Sequence, residues 1–356
     1  MKSKVYFIKV SEADSIPVVQ DKLLRLLDKS KLFSFIKPSD AVAVKLHFGE
    51  EGNTGFVKPE YLKVICAKIK EKEALPFLSD TNTLYKGSRT NSKDHLALAY
   101  KHGFTPEAVG AGVLIPDDQD QSQVSEVKVN QKFIREAKFL SIYLKAQALV
   151  GVAHFKGHIM TGFGGALKNI GMGTATRKGK LEQHSSVAPV VYPDNCVGCA
   201  SCVEVCPVKA ISMKDKKSCI DNTKCIGCAT CIAVCNYGAI DVRWDSGGDI
   251  LQEKMVEYAK ALLKSKKERC AFLNFCIKIT QECDCLAKDD PAIVPDIGIF
   301  ASLDPVSIDK ACLDMVNQAA GKDIFRELHP KRDGAKQLEH ARSLGLGSLE
   351  YDLLVV

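Results

Sequence analysis

Residues 41–80 read AVAVKLHFGE EGNTGFVKPE YLKVICAKIK EKEALPFLSD, and the succession of textures in this stretch sets the fold class. The apolar run 41–47 is short and valine-rich, as a buried strand is. Pro59 opens a helix running to residue 72, since proline suits the first helical turn, and 75–80 is a second short apolar run. Strand, helix, strand in this order is a βαβ unit and implies a parallel pair. Working outward, the same alternation continues. A strand over 5–10 and an amphipathic helix over 18–27 precede it; a helix over 92–102, strands near 113–115 and 124–129 and a strong strand over 148–154 follow. The expected fold is α/β: a large mixed or mostly parallel α/β domain.

Between Pro189 and Trp244 the texture becomes cysteine-rich with short β-pairs, and a helical pattern over 250–264 then returns the chain to α/β character. This predicts an α/β domain in two segments, 1–189 and 245–356, with an inserted α+β domain over 190–244 resembling a bacterial ferredoxin. Its signature is Cys196-x2-Cys199-x2-Cys202-x3-Cys206-Pro207, repeated 29 residues later as Cys225-x2-Cys228-x2-Cys231-x3-Cys235. In that spacing three thiolates wrap three corners of a cubane and the distant fourth reaches the other cluster. Two [4Fe–4S] clusters are therefore expected, one on Cys196, Cys199, Cys202 and Cys235, the other on Cys225, Cys228, Cys231 and Cys206. Gly198 and Gly227 would turn backbone amides toward sulfur. Residues 210–213 and 239–242 take equivalent places as strands closing a pseudo-twofold unit. A zinc module, the competing reading of Cys-x2-Cys pairs, uses two pairs and not two runs of four.

Seven cysteines remain. Cys270, Cys276, Cys283 and Cys285 are either a third metal site or redox pair, or reduced buried thiols. Cys66 and Cys312 lie on apolar helix faces and read as core, and Cys219 as a spare thiol.

Two polar stretches end strands, where ligands of open α/β sheets bind. Lys45 and His47 close the first; His154, Lys156 and His158 close the 148–154 strand and run into Thr161-Gly162-Phe163-Gly164-Gly165-Ala166-Leu167-Lys168-Asn169. Glycines there would let backbone amides approach an anion, with Lys168 neutralising it. Lys45, His47, His154, Lys156, Lys168 and Asn169 are the expected cofactor- or substrate-binding residues for an anionic ligand, with a histidine as proton donor. Neither the Walker pattern nor the dinucleotide fingerprint is present. Asp80-Thr81-Asn82, Ser302, Asp304 and Asp309 are lesser candidates, Asp304 also reading as a helix N-cap.

Composition excludes other classes. The 356 residues are 46% hydrophobic and 26% charged, ordinary for a globular protein, and a net charge of +6 without basic blocks gives no support to nucleic-acid binding. Fifteen cysteines in a chain this long point to metal or redox chemistry in a reducing cytoplasm; neither a signal peptide nor a membrane span is expected.

On Lys45–Gly49, His154 to Asn169, the double cysteine run, and Asp296-Ile297-Gly298 through Ser302-x-Asp304-Pro305-Val306-x-x-Asp309, the chain resembles the domain-of-unknown-function 362 family in its ferredoxin-bearing form. The resemblance implies an iron–sulfur protein, with ferredoxin-linked reduction of a flavin-type cofactor among its roles. Two functions follow as expectations. One is an oxidoreductase passing electrons between two clusters and an anionic or flavin-type ligand, with a redox partner protein or soluble carrier. The other is a non-catalytic electron carrier or assembly partner whose α/β domain docks another protein.

Overall fold

Eight strands form the central sheet of the computed structural model, which describes residues 2–85, 87–184, 189–225, 227–242 and 248–356. They are β1 (Ser3–Lys9), β2 (Ala41–Lys45), β3 (Leu75–Ser79), β4 (Gly112–Leu114), β5 (Ala148–His154), β6 (Cys270–Cys276), β7 (Gly298–Ser302) and β8 (Tyr351–Val355), in the order β8-β1-β7-β6-β5-β2-β3-β4. Every pairing is parallel except the two that flank β7, so seven strands run one way and β7 alone is reversed. The mostly parallel sheet expected from the alternation is present.

The period-2 pattern of the strands divides the core into two layers. Val42, Val44, Val150, Val152 and Leu273 face one side and pack with Leu23, Leu26, Leu62 and Ile65 from the helices Ile16–Ser30 and Pro59–Lys70. Ala43, Leu149, Phe272 and Phe300 face the other, against the helices Ala166–Gly171, Gly248–Lys266, Pro305–Ala320 and Ala335–Ser343. With both faces covered, β5 and β6 are buried at every position. Cys66, Cys270, Cys276 and Cys312 are core thiols of these layers. Asp304 caps the Pro305–Ala320 helix, accepting hydrogen bonds from the amides of Val306 and Ser307.

The strand expected near 124–129 leaves the main sheet and pairs with Glu136–Leu140. The glycine-rich stretch 162–173, which carries little hydrophobic periodicity, is regular and mostly buried: Gly162–Gly164 pairs with Lys156–His158, and a short helix Ala166–Gly171 follows. Its order comes from close packing. A Cβ on Gly157 would stand 2.0 Å from the carbonyl oxygen of Gln281, so this hairpin touches the 277–285 segment backbone to backbone.

In the cysteine-rich segment Ile211–Lys214 forms a hairpin with Lys217–Ile220, and Ile240–Asp241 pairs with Val190–Val191. The two equivalent strands thus each close on a nearby partner and not on one another. The expected boundary at 244/245 lies outside the described residues. No helix among the described residues is long and apolar enough to cross a membrane.

Candidate functional site: a cationic pocket beside two cysteine cages

Beyond the carboxyl ends of β2, β3 and β5 lies a cavity of about 300 Å³. Lys45, His47, His154, Lys156, Lys168 and Asn169 all line it, so the residues read from two strand ends do converge. Their roles nevertheless differ.

Lys45 is only 1% exposed, and its ammonium is fully engaged: 2.9 Å from Asp80 Oδ1, 2.7 Å from the carbonyl of Leu46 and 3.0 Å from Asn169 Oδ1. Asn169 in turn donates to the carbonyls of Lys45 and Val152 at 3.0 and 3.1 Å, latching the ends of β2 and β5 together. Burial pushes the Asp80 carboxyl up, but Lys45, His95 and Lys180 outweigh it and hold it at about 2. Lys45 and Asn169 are therefore frame, three hydrogen bonds deep, and not free arms toward a ligand.

His47 does not fit the expected role of proton donor. Gly49 N–H donates to its Nδ1 at 2.9 Å, and Arg89 Nη1 lies 2.9 Å from its Nε2. Burial, then the positive field of Arg89 and the pocket lysines, holds it well below the usual histidine range and neutral. His154 is also tied, with Nδ1 2.8 Å from Asp284 and Nε2 3.1 Å from the carbonyl of Lys278. Lys156 donates to Asp284 and to the carbonyl of His154, at 3.1 and 2.9 Å. Burial pushes the Asp284 carboxyl up, yet His154 and Lys156 overcome it and keep it well below the ordinary carboxylate range.

Lys168 is the least occupied of the predicted cations, its Nζ 3.6 Å from Cys283 Sγ. The backbone amides of its helix are not open to a bound ligand: those of Ala166 and Leu167 donate to the Asp309 carboxylate, at 2.7 and 2.9 Å, as does Asn274 Nδ2 at 2.7 Å. The anion invited by the glycines is thus supplied by the chain itself. A Cβ on Gly165 would sit 2.3 Å from that carboxylate, which explains the glycine there by contact with protein.

Sequence reasoning missed Arg89, Lys180 and Asp284, and it did not place Cys285 at this pocket. Lys180 comes from the helix Arg177–His184 and donates to the carbonyl of Asn82 at 2.6 Å. Burial, opposed by Asp80 and assisted by the other cations, brings it down to about 7. It is thus the pocket ammonium with a titration suited to proton transfer near neutral pH. The signal for Asp284 is the Cys-Asp-Cys run, whose two cysteines read as a metal site, a redox pair or reduced thiols; His158, Cys283 and Cys285 do place donor atoms within 4.8 Å of one another.

The cysteine-rich module borders this pocket. One small cavity is lined by Cys196, Cys199, Cys202 and Cys235, and a second by Cys206, Cys225, Cys228 and Cys231. The two runs repeat in detail. Gly198 and Gly227 take φ of +77° and +70°, and Ala200 and Ala229 take φ of +61° and +59°. Ser201 and Thr230 hydroxyls donate to Cys199 and Cys228, and Ala210 and Ala239 amides donate to Cys206 and Cys235, both at 3.2 Å. Such donors stabilise thiolates. Burial and the neighbouring thiols push Cys231 up to about 12, a cost that a bound cation relieves. Leu84, on the pocket wall, shares a hydrophobic cluster with Leu181, Cys202, Ile211, Cys231 and Ile232.

Sheet and cavity define an α/β sandwich protein with a pocket lined by cationic side chains at the carboxyl ends of its parallel strands. The chain belongs to the family described as a domain of unknown function, DUF362, whose model matches residues 42–314. It is similar to a solved protein from Thermotoga maritima, with a TM-score of 0.42 and 11% identity over 85% of this chain and 59% of that one. It is also similar to the lactate racemase apoprotein from Thermoanaerobacterium thermosaccharolyticum, with a TM-score of 0.38 and 11% identity over 76% of this chain and 50% of that one. The chain thus spans less than two thirds of either solved protein. No curated protein matches it.

Proposed function

We propose that this chain is a cytoplasmic iron–sulfur oxidoreductase that passes electrons between two [4Fe–4S] clusters and a small organic anion held in the cationic pocket. The clusters would sit in a ferredoxin-like module over 190–244. Cys196, Cys199, Cys202 and Cys235 would hold one; Cys225, Cys228, Cys231 and Cys206 the other. The observation that carries the reading is the division of eight thiols into two cavities along the crossed pattern, with the fourth cysteine of each run in the other run's cavity. When bound, such clusters supply low-potential one-electron chemistry.

The chain's own residues account for the rest. Lys156 and Lys168 present positive charge to an anion and to negative charge that builds up on it, in a buried site where that charge is weakly screened. Lys180 holds a proton it can release near neutral pH. Leu84, Ile159, Met160, Met172 and Leu286 make the remaining wall apolar, which suits a ligand with a short carbon body. A cavity of about 300 Å³ is at the small end of ligand sites and favours a small acid over a flavin.

Anaerobic purification followed by iron, sulfide, zinc and flavin analysis tests the reading. About eight iron and eight sulfide per chain is the expected result for two [4Fe–4S] clusters. Stoichiometric zinc with little iron would overturn it.

A further inference from the structure

Cys283 and Cys285 belong to no cysteine run, yet Cys285 lines the cationic pocket and Cys283 lies behind it, against the pocket lysine Lys168. The segment carrying them is held from two sides and closed on itself: Gly157 N–H donates to the carbonyl of Thr280 at 2.9 Å and Tyr85 OH to that of Cys285 at 3.3 Å, while Leu286 N–H donates to the carbonyl of Cys283 at 3.0 Å. The turn closed by Leu286 brings both sulfurs to one side, within 4.8 Å of each other and of a His158 ring nitrogen. Cys283 is 3% exposed and has the Lys168 ammonium 3.6 Å from its sulfur; Cys285 lines the cavity. Asp284, between them, points the other way to His154 and Lys156.

A metal ion fits this group poorly. The amides of Met160 and Thr161 both donate to His158 Nδ1, at 3.2 Å, which assigns the ring proton to Nε2 and leaves neither nitrogen a free lone pair. Lys168 and Lys156 also act as positive charges on Cys283, partly offset by Asp284, and Lys168 and Arg89 on Cys285. That field favours a thiolate instead. The pair shares protons unequally: the hydrogen bond from Cys285, then Lys168 and Lys156, hold Cys283 well below the usual thiol range, while Cys285 is pushed up.

We propose that Cys283 and Cys285 form a redox-active dithiol whose substrates are small anionic disulfides drawn in by Lys168. This deepens the reading of the pocket as an anion site and rests on that part of it, not on the cysteine cages. The Cys283 thiolate attacks one sulfur of R–S–S–R, breaking that bond and releasing RS⁻ with formation of a mixed disulfide. Cys285 then loses its proton and attacks the Cys283 sulfur, forming the internal disulfide and releasing the second thiol. The balance is one disulfide consumed and one made, with the two electrons passing from the protein dithiol to the substrate. Excess small thiol reverses it.

The test uses the whole protein, reduced and kept anaerobic, treated with dithiodiglycolate, an anionic disulfide, or with cystamine, a cationic one. Lys278 and Lys288 flank the pair, so trypsin isolates both cysteines in one peptide. Mass spectrometry should show that peptide losing two hydrogens and its reactivity to iodoacetamide, at least about tenfold faster with dithiodiglycolate. Lys168→Gln should abolish the preference while leaving the peptide oxidisable. Both thiols still alkylated after treatment would overturn the proposal, as would equal rates with the two reagents, or a stoichiometric metal lost on Cys285→Ser. Iron measured in the same samples separates the two readings. An iron-free protein that forms the disulfide defeats the cluster assignment alone, and an iron-replete one that does not defeats the dithiol alone.

Discussion

In the cysteine module, residues 29 positions apart occupy matching places: Gly198 and Gly227 share a left-handed φ, and Ser201 with Thr230, Ala210 with Ala239, each donate to a cysteine sulfur. In the pocket nothing repeats. Lys45, Lys156, Lys168 and Lys180 arrive from four segments, and each ammonium has a different set of acceptors. A sulfur cage is written in local spacing because one tight turn supplies three of its four corners. A cation field is assembled from distant segments, and identical side chains in it take unlike jobs according to what else reaches them.

The comparison is open to breakage at several points. Removing Cys235 should empty one cage and leave the other, reducing iron by about half. The crossed pattern sharpens this: Cys235→Ser combined with Cys196→Ser should lose no more iron than either alone, whereas Cys235→Ser with Cys225→Ser should lose nearly all. In the pocket, Asp284→Ala strips the shared partner of His154 and Lys156 in a buried site. Urea denaturation should show a loss of about 3–5 kcal/mol. A smaller effect should separate two lysines that look alike in the sequence. Lys45→Gln leaves Asp80 without its closest cation and should cost about 3 kcal/mol of stability, while Lys168→Gln should change stability by less than about 1 kcal/mol yet weaken oxalate binding about tenfold by calorimetry. The smallest effect is the pH dependence. Lys180 is lowered to about 7 by burial, so it is charged below that pH and neutral above; oxalate affinity should fall as pH rises through about 7, and Lys180→Met should flatten that step. Folding carries the opposite sign: the unfolded lysine keeps its proton to higher pH, so this group's penalty fades and stability rises as pH goes from about 7 toward 10.4.

The sheet was legible because short valine-rich runs and a proline-opened helix leave few alternatives, and the strand-end placement of Lys45 and His154 carried the pocket with it. What stayed hidden depends on groups remote in the chain. The glycines after Thr161 read as an anion loop, since nothing nearby reveals that Asp309, from a helix more than 140 residues on, fills that place. His47 reads as an acid–base group until Arg89 and Gly49 are seen to cover both ring nitrogens. The reversed direction of β7 left no local mark. Lys180 sits in a polar helical stretch that looks like solvated surface, and only burial makes it exceptional.

That helix, Arg177–His184, sends Lys180 and His184 to the pocket and Leu181, one position along, into the cysteine module. A helix with its side chains is about 10–12 Å across, so the two compartments share one thin wall. Negative charge placed on the module side would be felt there by an ammonium already balanced near neutral pH, and it would strengthen that group's hold on its proton. In the proposed oxidoreductase, electron and proton uptake would thereby be coupled through a single helix.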